Sequence, residues 1–221
     1  MITFCRLAMC AALIAFAPLP SHSADFYAGV KGGLGLAGLW GADAGDTASM
    51  TGSLRAGFCG GAMGAVLFTA NIGVQAEVLY AQKGKTSSGD NAGTSFQEEW
   101  KSDYVEVPVV CRLSYPLKMS RVLGYAGPSF SYLLSSSYTK STQSDVSGNS
   151  TAVTDTREST SAFDVGLALG GGMEFDIRTG EIIFDLRFTP GFITTDGRDN
   201  VRRLDTKNYL ITFLIGYAFK F

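Results

Sequence analysis

The chain has 221 residues, of which 46% are hydrophobic and 17% are charged, so a disordered chain and a heavily solvated surface are excluded. Lys and Arg number 18 against 20 for Asp and Glu, a formal net charge of -2. This balance argues against a nucleic-acid-binding protein, which ordinarily carries a strong basic excess.

The N-terminus predicts a signal peptide over residues 1–24. One arginine precedes an apolar run at 7–19, and the small-residue segment Ser-His-Ser-Ala ends at Ala24. The run is too short for a transmembrane helix, which needs about 20 apolar residues. Cleavage after Ala24 would leave a mature domain over 25–221 without histidine, because His22 is the only one. Catalysis through Ser-His-Asp or Cys-His and histidine zinc sites are therefore excluded for the mature chain.

Eight segments with alternating apolar residues follow, and no segment after residue 24 shows a sustained helical period. Such alternation predicts β-strands with one apolar face. The segments reach the length of a tilted transmembrane strand, about 9–11 residues. In chain order the predicted strands are 26–36, 54–67, 72–83, 104–115, 121–134, 162–177, 181–193 and 208–221. In the fifth, Pro128 predicts a bulge or a shift of facing.

The connections between these strands alternate in length. Four are long and rich in Ser, Thr, Asp, Asn and Gly, namely 37–53, 84–103, 135–161 and 194–207. Three are short turns, at 68–71, 116–120 and 178–180. This alternation is typical of outer-membrane barrels, and an even strand count puts both termini on the periplasmic side. The predicted fold is all-β, an eight-stranded antiparallel up-and-down transmembrane β-barrel after an N-terminal signal peptide.

The two faces of the predicted strands differ in chemistry. One face is apolar, as at Val74 and Val78 of the third strand, and the other holds charges of both signs. The charges predicted to project into the lumen are Lys31, Arg55, Glu77, Glu106, Arg112, Asp164, Glu174, Asp185 and Arg187. Eight strands enclose a lumen only wide enough for side chains. We therefore interpret these charges as structural, paired with one another, rather than as a selective pore or a proton path.

Aromatic residues near the strand ends predict two girdles at the membrane interfaces. The periplasmic girdle would contain Phe26, Tyr115, Tyr125, Phe175, Phe219 and Phe221, and the outer girdle Tyr80, Tyr104, Phe163, Phe192 and Tyr209. The last strand keeps its alternation to the final residue. Its residues Tyr217, Phe219 and Phe221 resemble the C-terminal signal that the outer-membrane insertion machinery reads.

Four stretches together resemble a known family. They are GVKGGLGLAGL (29–39), VQAEVLYAQKGK (74–85), YVEVPVVCRLSYPL (104–117) and YAGPSFSYLLSS (125–136). They are similar to the first, third, fourth and fifth strands of the porin-family, PorT-like outer-membrane β-barrel domain, and the similarity spans essentially the whole mature chain. Gly35 departs from the pattern, since the family often has Asn there. The resemblance implies a barrel in a Gram-negative outer membrane and brings no catalytic residues.

The predicted function is an outer-membrane protein of structural or interaction type with long surface loops, without catalysis, cofactor or metal. We expect a monomer that contacts outer-membrane lipids and lipopolysaccharide, binds no nucleic acid and meets a partner protein that the sequence does not name. One alternative is a narrow passive channel. Another is a soluble lipocalin-like carrier of lipids or small ligands, because Gly38-Leu39-Trp40 matches the Gly-x-Trp of that fold.

Two smaller groups complete the prediction. Possible surface anion contacts, for instance with lipopolysaccharide phosphates, are Arg198, Arg202, Arg203 and Lys207. Interleaved aspartates leave an ordinary solvated loop as an equal alternative. Cys59 and Cys111 fall on non-adjacent strands with opposite facing, so no disulfide is expected between them.

Overall fold

The structure is a computed structural model that describes residues 24–41, 51–91, 94–144, 148–195 and 206–221. The predicted signal peptide, apart from Ala24, lies outside these residues, as does most of the predicted connection 37–53. No helix in the described ranges has the length and apolar character needed to cross a membrane.

The described fold consists of antiparallel strands and one 3₁₀ turn at Arg157–Ser159. The strands are β1 (Asp25–Trp40), β2 (Thr51–Leu67), β3 (Ile72–Asn91), β4 (Thr94–Pro116), β5 (Ser120–Ser144), β6 (Gly148–Asp155), β7 (Phe163–Ile177), β8 (Gly180–Thr194) and β9 (Lys207–Lys220).

Eight of these strands form a closed ring. Each of the eight pairs with the next strand along the chain, except that β5 pairs with β7 because β6 is not part of the ring. The ring closes where β9 pairs with β1. Within the described residues, β6 pairs only with the upper end of β5 and stands outside the ring. The prediction of an eight-stranded antiparallel barrel is confirmed.

The period-two alternation of each ring strand decides which side chains enter the lumen. In β3, Gln75, Glu77 and Leu79 are buried, whereas Ile72 and Val78 are at least half exposed. The large exposed hydrophobic side chains lie on the outward face of every ring strand. A lipocalin-like carrier needs the opposite arrangement, with its apolar row around an internal cavity. The outward apolar rows therefore argue against that alternative.

The predicted girdle positions of two tyrosines are wrong. Tyr104 is 1% exposed and Tyr125 is 6% exposed, and both point into the lumen. Tyr104 shares its facing with Glu106 two positions on, and Tyr125 shares its facing with Leu123. The alternation along the strand outweighs the preference of a tyrosine ring for the interface, since every second residue must face the same way.

Three strands are much longer than the lipid-facing rows require. β3, β4 and β5 have 20, 23 and 25 residues. The predicted loops 84–103 and 135–161 are therefore largely strand, because they continue β3, β4 and β5 and contain β6. Their Ser- and Thr-rich sequences lack an apolar row, but backbone pairing does not depend on one. We name residues 85–91, 94–103, 135–144 and 148–155 the protruding sheet.

The irregularity that Pro128 predicts is absent, although another proline, Pro190, does precede a register shift between β8 and β9. The β5–β7 register runs unshifted through Pro128, which lies opposite Leu167, so the predicted bulge there is wrong. The β4–β5 register shifts instead at Leu134, where the protruding sheet begins. The β2–β3 register also shifts, between Leu54 and Cys59. This shift lies near Gly84, whose φ of 138° favours glycine.

The two cysteines of the described residues are both free thiols. Cys59 is buried on β2 and Cys111 is exposed on β4, with β3 between those strands. The expectation that they form no disulfide is confirmed.

Candidate functional site

All nine charges predicted for the lumen are buried, with Arg55 the most exposed at 8%. They do not form one cluster. The contacts divide them into a central group, a group toward the short turns and a group toward the protruding sheet.

The central group is a square of alternating charges formed by Lys31, Glu77, Asp185 and Arg187. The Lys31 ammonium lies 3.0 Å from Glu77 and 2.5 Å from Asp185. The Arg187 guanidinium lies 2.9 Å from Glu77 and 3.4 Å from Asp185. All four side chains are at most 1% exposed. The square is electrically balanced, and the side chains that form it reach across the middle of the barrel from β1, β3 and β8.

Tyr125 of β5 supports this square from the opposite wall. Its hydroxyl donates to the Asp185 carboxylate and accepts a 2.9 Å hydrogen bond from Nε of Arg187. The Arg187 guanidinium also lies 5.0 Å from the centre of the Tyr125 ring. Gly170 on β7 leaves room for this ring, because a Cβ there would overlap the phenol group. The prediction missed Tyr125 as a lumen residue.

The group toward the short turns centres on two arginines. Arg112 pairs with Glu174, and Arg121 pairs with Glu181 and lies 3.6 Å from Glu174. Arg121 also donates to the Tyr27 hydroxyl at 3.2 Å. The prediction missed Arg121 and Glu181 because both stand at strand ends, where alternation is short. Their facing follows from the same alternation.

The group toward the protruding sheet centres on Lys83, which is not among the nine charges predicted for the lumen. Its ammonium lies 2.8 Å from Glu106 and 5.1 Å from the centre of the Tyr104 ring. Asp164 accepts a 3.2 Å hydrogen bond from the Ile193 amide. Above this group, Arg55 lies 3.1 Å from Glu99.

These contacts define what the lumen can do chemically. Each central or lower carboxylate is neutralised by a neighbouring cation, so none is left as a free general base. In the described ranges, no three His, Cys, Asp or Glu side chains come together as a metal site. The lumen has the features of a packed, charge-balanced interior.

The protruding sheet carries a second polar and aromatic group. The Trp100 and Tyr138 rings lie 4.8 Å apart between their centres on adjacent strands. Beside them, Lys140 lies 2.9 Å from Glu98 and 5.7 Å from the centre of the Phe96 ring. Although burial opposes ionisation, hydrogen bonds from Lys140 and Tyr138 hold the pKa of Glu98 below its ordinary value. Burial and the hydrogen bond to Glu98 raise the pKa of Tyr138 to about 12.

The outer edge of the protruding sheet is β6. Its register with β5 is regular, from the Ser137–Asp155 pair to the Ser144–Gly148 pair. From Ser150 to Asp155 its residues are exposed, and Val153 is 70% exposed. Within the described residues, β6 therefore has one edge that no strand pairs with, and this edge lies outside the barrel.

The predicted anion contacts are only partly described. Arg198, Arg202 and Arg203 lie outside the described residues. Lys207 begins β9, and its ammonium lies 5.2 Å from the centre of the Trp40 ring at the end of β1.

The predicted insertion signal lies at the end of the barrel that carries the short turns. Tyr217 donates to the Thr179 hydroxyl at 2.8 Å, and its ring meets the Phe219 ring edge-on at 4.8 Å. Phe219 and Phe221 are at least half exposed. Recognition by insertion machinery stays a prediction.

A protein-family model matches most of this chain. The model of the outer membrane protein beta-barrel domain matches residues 17–197, which is more than half of the chain. The comparison with curated proteins gives no match.

Several solved outer-membrane proteins are similar to this chain. A major outer membrane protein from Thermus thermophilus is 14% identical, with 90% of this chain and 100% of that chain covered and a TM-score of 0.49. The outer membrane protein OprG from Pseudomonas aeruginosa is 12% identical, with 89% and 96% covered and a TM-score of 0.47. Ail, the attachment invasion locus protein of Yersinia pestis, is 13% identical, with 87% and 98% covered and a TM-score of 0.39.

Proposed function

Because this chain belongs to the outer membrane protein beta-barrel domain family, we propose that it is a non-catalytic protein whose barrel is a closed anchor and whose protruding sheet makes contacts outside the cell. Its location is the bacterial outer membrane. In barrels of this membrane the short turns face the periplasm and the long connections face outward. The protruding sheet then stands on the cell surface.

One observation carries the proposal: strands continue well beyond the barrel, while paired charged side chains occupy the middle of the lumen. β5 continues for ten residues beyond Leu134, where the lipid-facing row ends, and β6 adds eight more. A channel would need the opposite, an open lumen with free charges. The central square instead occupies the middle of the barrel with paired side chains.

The remaining partners are part of the same proposal. The outward apolar rows contact outer-membrane lipids and lipopolysaccharide, and the barrel is a monomer within its own membrane. Tyr217, Phe219 and Phe221 direct the chain to the insertion machinery. The PorT-like character suggested by the sequence also stays a proposal within the broader family.

The anchor is tested by planar-bilayer recording of the purified barrel, whose folded state is first verified by its gel shift on boiling. We expect no discrete conductance steps. Discrete steps would overturn the closed anchor and favour the narrow channel.

The surface role is tested by shortening the protruding sheet without opening the barrel. Replacing residues 138–154 with Asn-Gly joins Ser137 to Asp155, which are already paired, through a two-residue hairpin turn. Cells that display the full chain and cells that display this variant are compared for attachment to polystyrene, albumin and collagen surfaces. We expect the variant to keep its gel shift and to lose attachment. Equal attachment by both would overturn the surface role.

A further inference from the structure

We propose that β6 pairs antiparallel with β6 of a second copy of this chain, and that the two copies lie in opposing membranes. This inference rests on the proposed surface role of the protruding sheet and names its partner. It is carried by the composition of the β6 edge, by the self-complementarity of its sequence and by the symmetry of strand pairing.

The edge of β6 lacks the features that protect other edges. Proteins block free strand edges with lysine, proline, bulges or very short strands. β6 reads Gly-Asn-Ser-Thr-Ala-Val-Thr-Asp, with no basic residue and no proline, and its register with β5 has no shift. Among the strands that the structure describes, none pairs with the outer edge of β6, and its eight residues lie within the usual length of a paired strand.

The β6 sequence matches itself when it is paired antiparallel about Ala152. Thr151 then lies opposite Val153, two β-branched side chains that favour cross-strand contact. Ser150 lies opposite Thr154, and hydroxyl pairs of this kind can exchange hydrogen bonds. The single charge, on Asp155, lies opposite Asn149, so no like charges meet. A foreign strand would need to supply this complementarity by chance.

The symmetry of the pairing decides where the second copy lies. Two identical antiparallel strands are related by a two-fold axis perpendicular to their sheet. Because the protruding sheet continues the barrel wall, that axis is perpendicular to the barrel axis and inverts it. Two copies in one membrane point the same way and would have to pair β6 in parallel. Antiparallel self-pairing therefore joins two facing membranes.

The height of β6 sets the gap that this contact can bridge. Ala152 pairs with Lys140, six residues above Leu134. At about 3.4 Å per residue and a strand tilt of about 40°, β6 is centred about 16 Å above the lipid. Two copies would hold membranes about 32 Å apart. One edge contact is weak, so many copies on each surface must act together.

The test uses charge substitutions on the outward face of β6, where the neighbouring residues on β5 are the uncharged Thr139 and Ser141. The full barrel is placed in phosphatidylcholine vesicles, and clustering is followed by turbidity. In the doubles Thr151→Lys/Val153→Lys and Thr151→Asp/Val153→Asp, like charges meet in the self-pair. Vesicles that carry either double variant should cluster about tenfold more slowly than vesicles that carry the parent protein. A mixture of the two kinds of variant vesicle should cluster at the parent's rate, because opposite charges then meet. The control Thr139→Lys/Ser141→Lys carries the same charge one strand inward and should cluster normally.

A cross-link checks the pairing centre. Ala152→Cys places two thiols opposite each other, so oxidation should give a disulfide dimer between clustered vesicles. Thr154→Cys should not, because its partner position is Ser150 and the two thiols would be too far apart.

Self-pairing is overturned if the parent vesicles do not cluster, if both charged doubles cluster as the parent does, or if the mixture fails to recover. If self-pairing fails in this way but cells with the full chain still attach better than cells with the shortened variant, the surface role stands. If the two kinds of cell also attach equally, both proposals are overturned.

Discussion

Neutralising Glu77 would leave the centre of the lumen with one excess positive charge. Its Oε1 accepts hydrogen bonds from Lys31 at 3.0 Å, Arg187 at 2.9 Å and Gln75 at 2.5 Å. Glu77→Gln keeps the shape of the side chain but removes one of the two negative charges that balance Lys31 and Arg187. Lys31→Met removes one of those cations instead and leaves an excess negative charge.

The magnitude follows from the burial of the square. Removing one partner of a buried ion pair costs about 3–5 kcal/mol, because the remaining charge stays desolvated. We expect each single variant to lose about that much free energy of unfolding. The double variant Lys31→Met/Glu77→Gln leaves Arg187 paired with Asp185 and is balanced again. Its loss should therefore be smaller than the sum of the single losses by at least about 2 kcal/mol.

The assay is equilibrium urea unfolding in lipid vesicles, followed by the fluorescence of Trp40 and Trp100. A matched control is Asp25→Asn, which breaks the exposed 2.7 Å pair with Lys220. Such exposed pairs contribute about 0–1 kcal/mol. Additive losses in the double variant, or single losses no larger than that of the control, would refute the square as a coupled unit.

Three further predictions concern packing and pH. Gly170→Val places methyl groups on the Tyr125 ring and should cost about 1–3 kcal/mol in the same urea assay, whereas Gly124→Ala enters open space on the lipid side and should be neutral; equal losses would contradict the packing account. Because folding lowers the pKa of Glu98, its contribution to the order of the protruding sheet is complete above the ordinary glutamate pKa of 4.5 and is lost as the pH falls below it. Tryptophan fluorescence should change in that acid range, and Glu98→Gln should abolish the change. Folding raises the pKa of Tyr138 to about 12, so the contribution of its hydroxyl to the stability of the protruding sheet is complete below the ordinary tyrosine pKa of 10.0 and is lost as the pH rises through 12. The phenolate absorbance that the parent protein has and Tyr138→Phe lacks should report this step, and a difference that titrates near 10 would contradict it.

Much of the barrel follows from the sequence because strand facing is a local property. A side chain two positions along a strand always points the same way, so the outward apolar rows and all nine buried charges lay within reach of the alternation. The same rule places Tyr104 and Tyr125 in the lumen. The preference of tyrosine for membrane interfaces predicts girdle positions for both, and the alternation outweighs it.

The extension of β3, β4 and β5 beyond the lipid-facing rows does not follow from the sequence in the same way. In the protruding sheet neither face carries a continuous apolar row, so the Ser- and Thr-rich segments show no alternation that distinguishes a strand from a loop. Their strand structure depends on the backbone pairing of β3, β4, β5 and β6 with one another. That pairing exists only once the barrel has brought these strands side by side.

The sequence by itself determined the strands, their facing and the polarity of the two barrel surfaces, because each depends on neighbours along the chain. The tertiary structure alone decided which charges meet. Lys31 and Asp185 are 154 residues apart, and Arg121 reaches Glu181 across 60. Such contacts depend on the register of the whole ring and on its closure between β1 and β9, since a shift of any strand would bring different side chains together at the same height in the lumen.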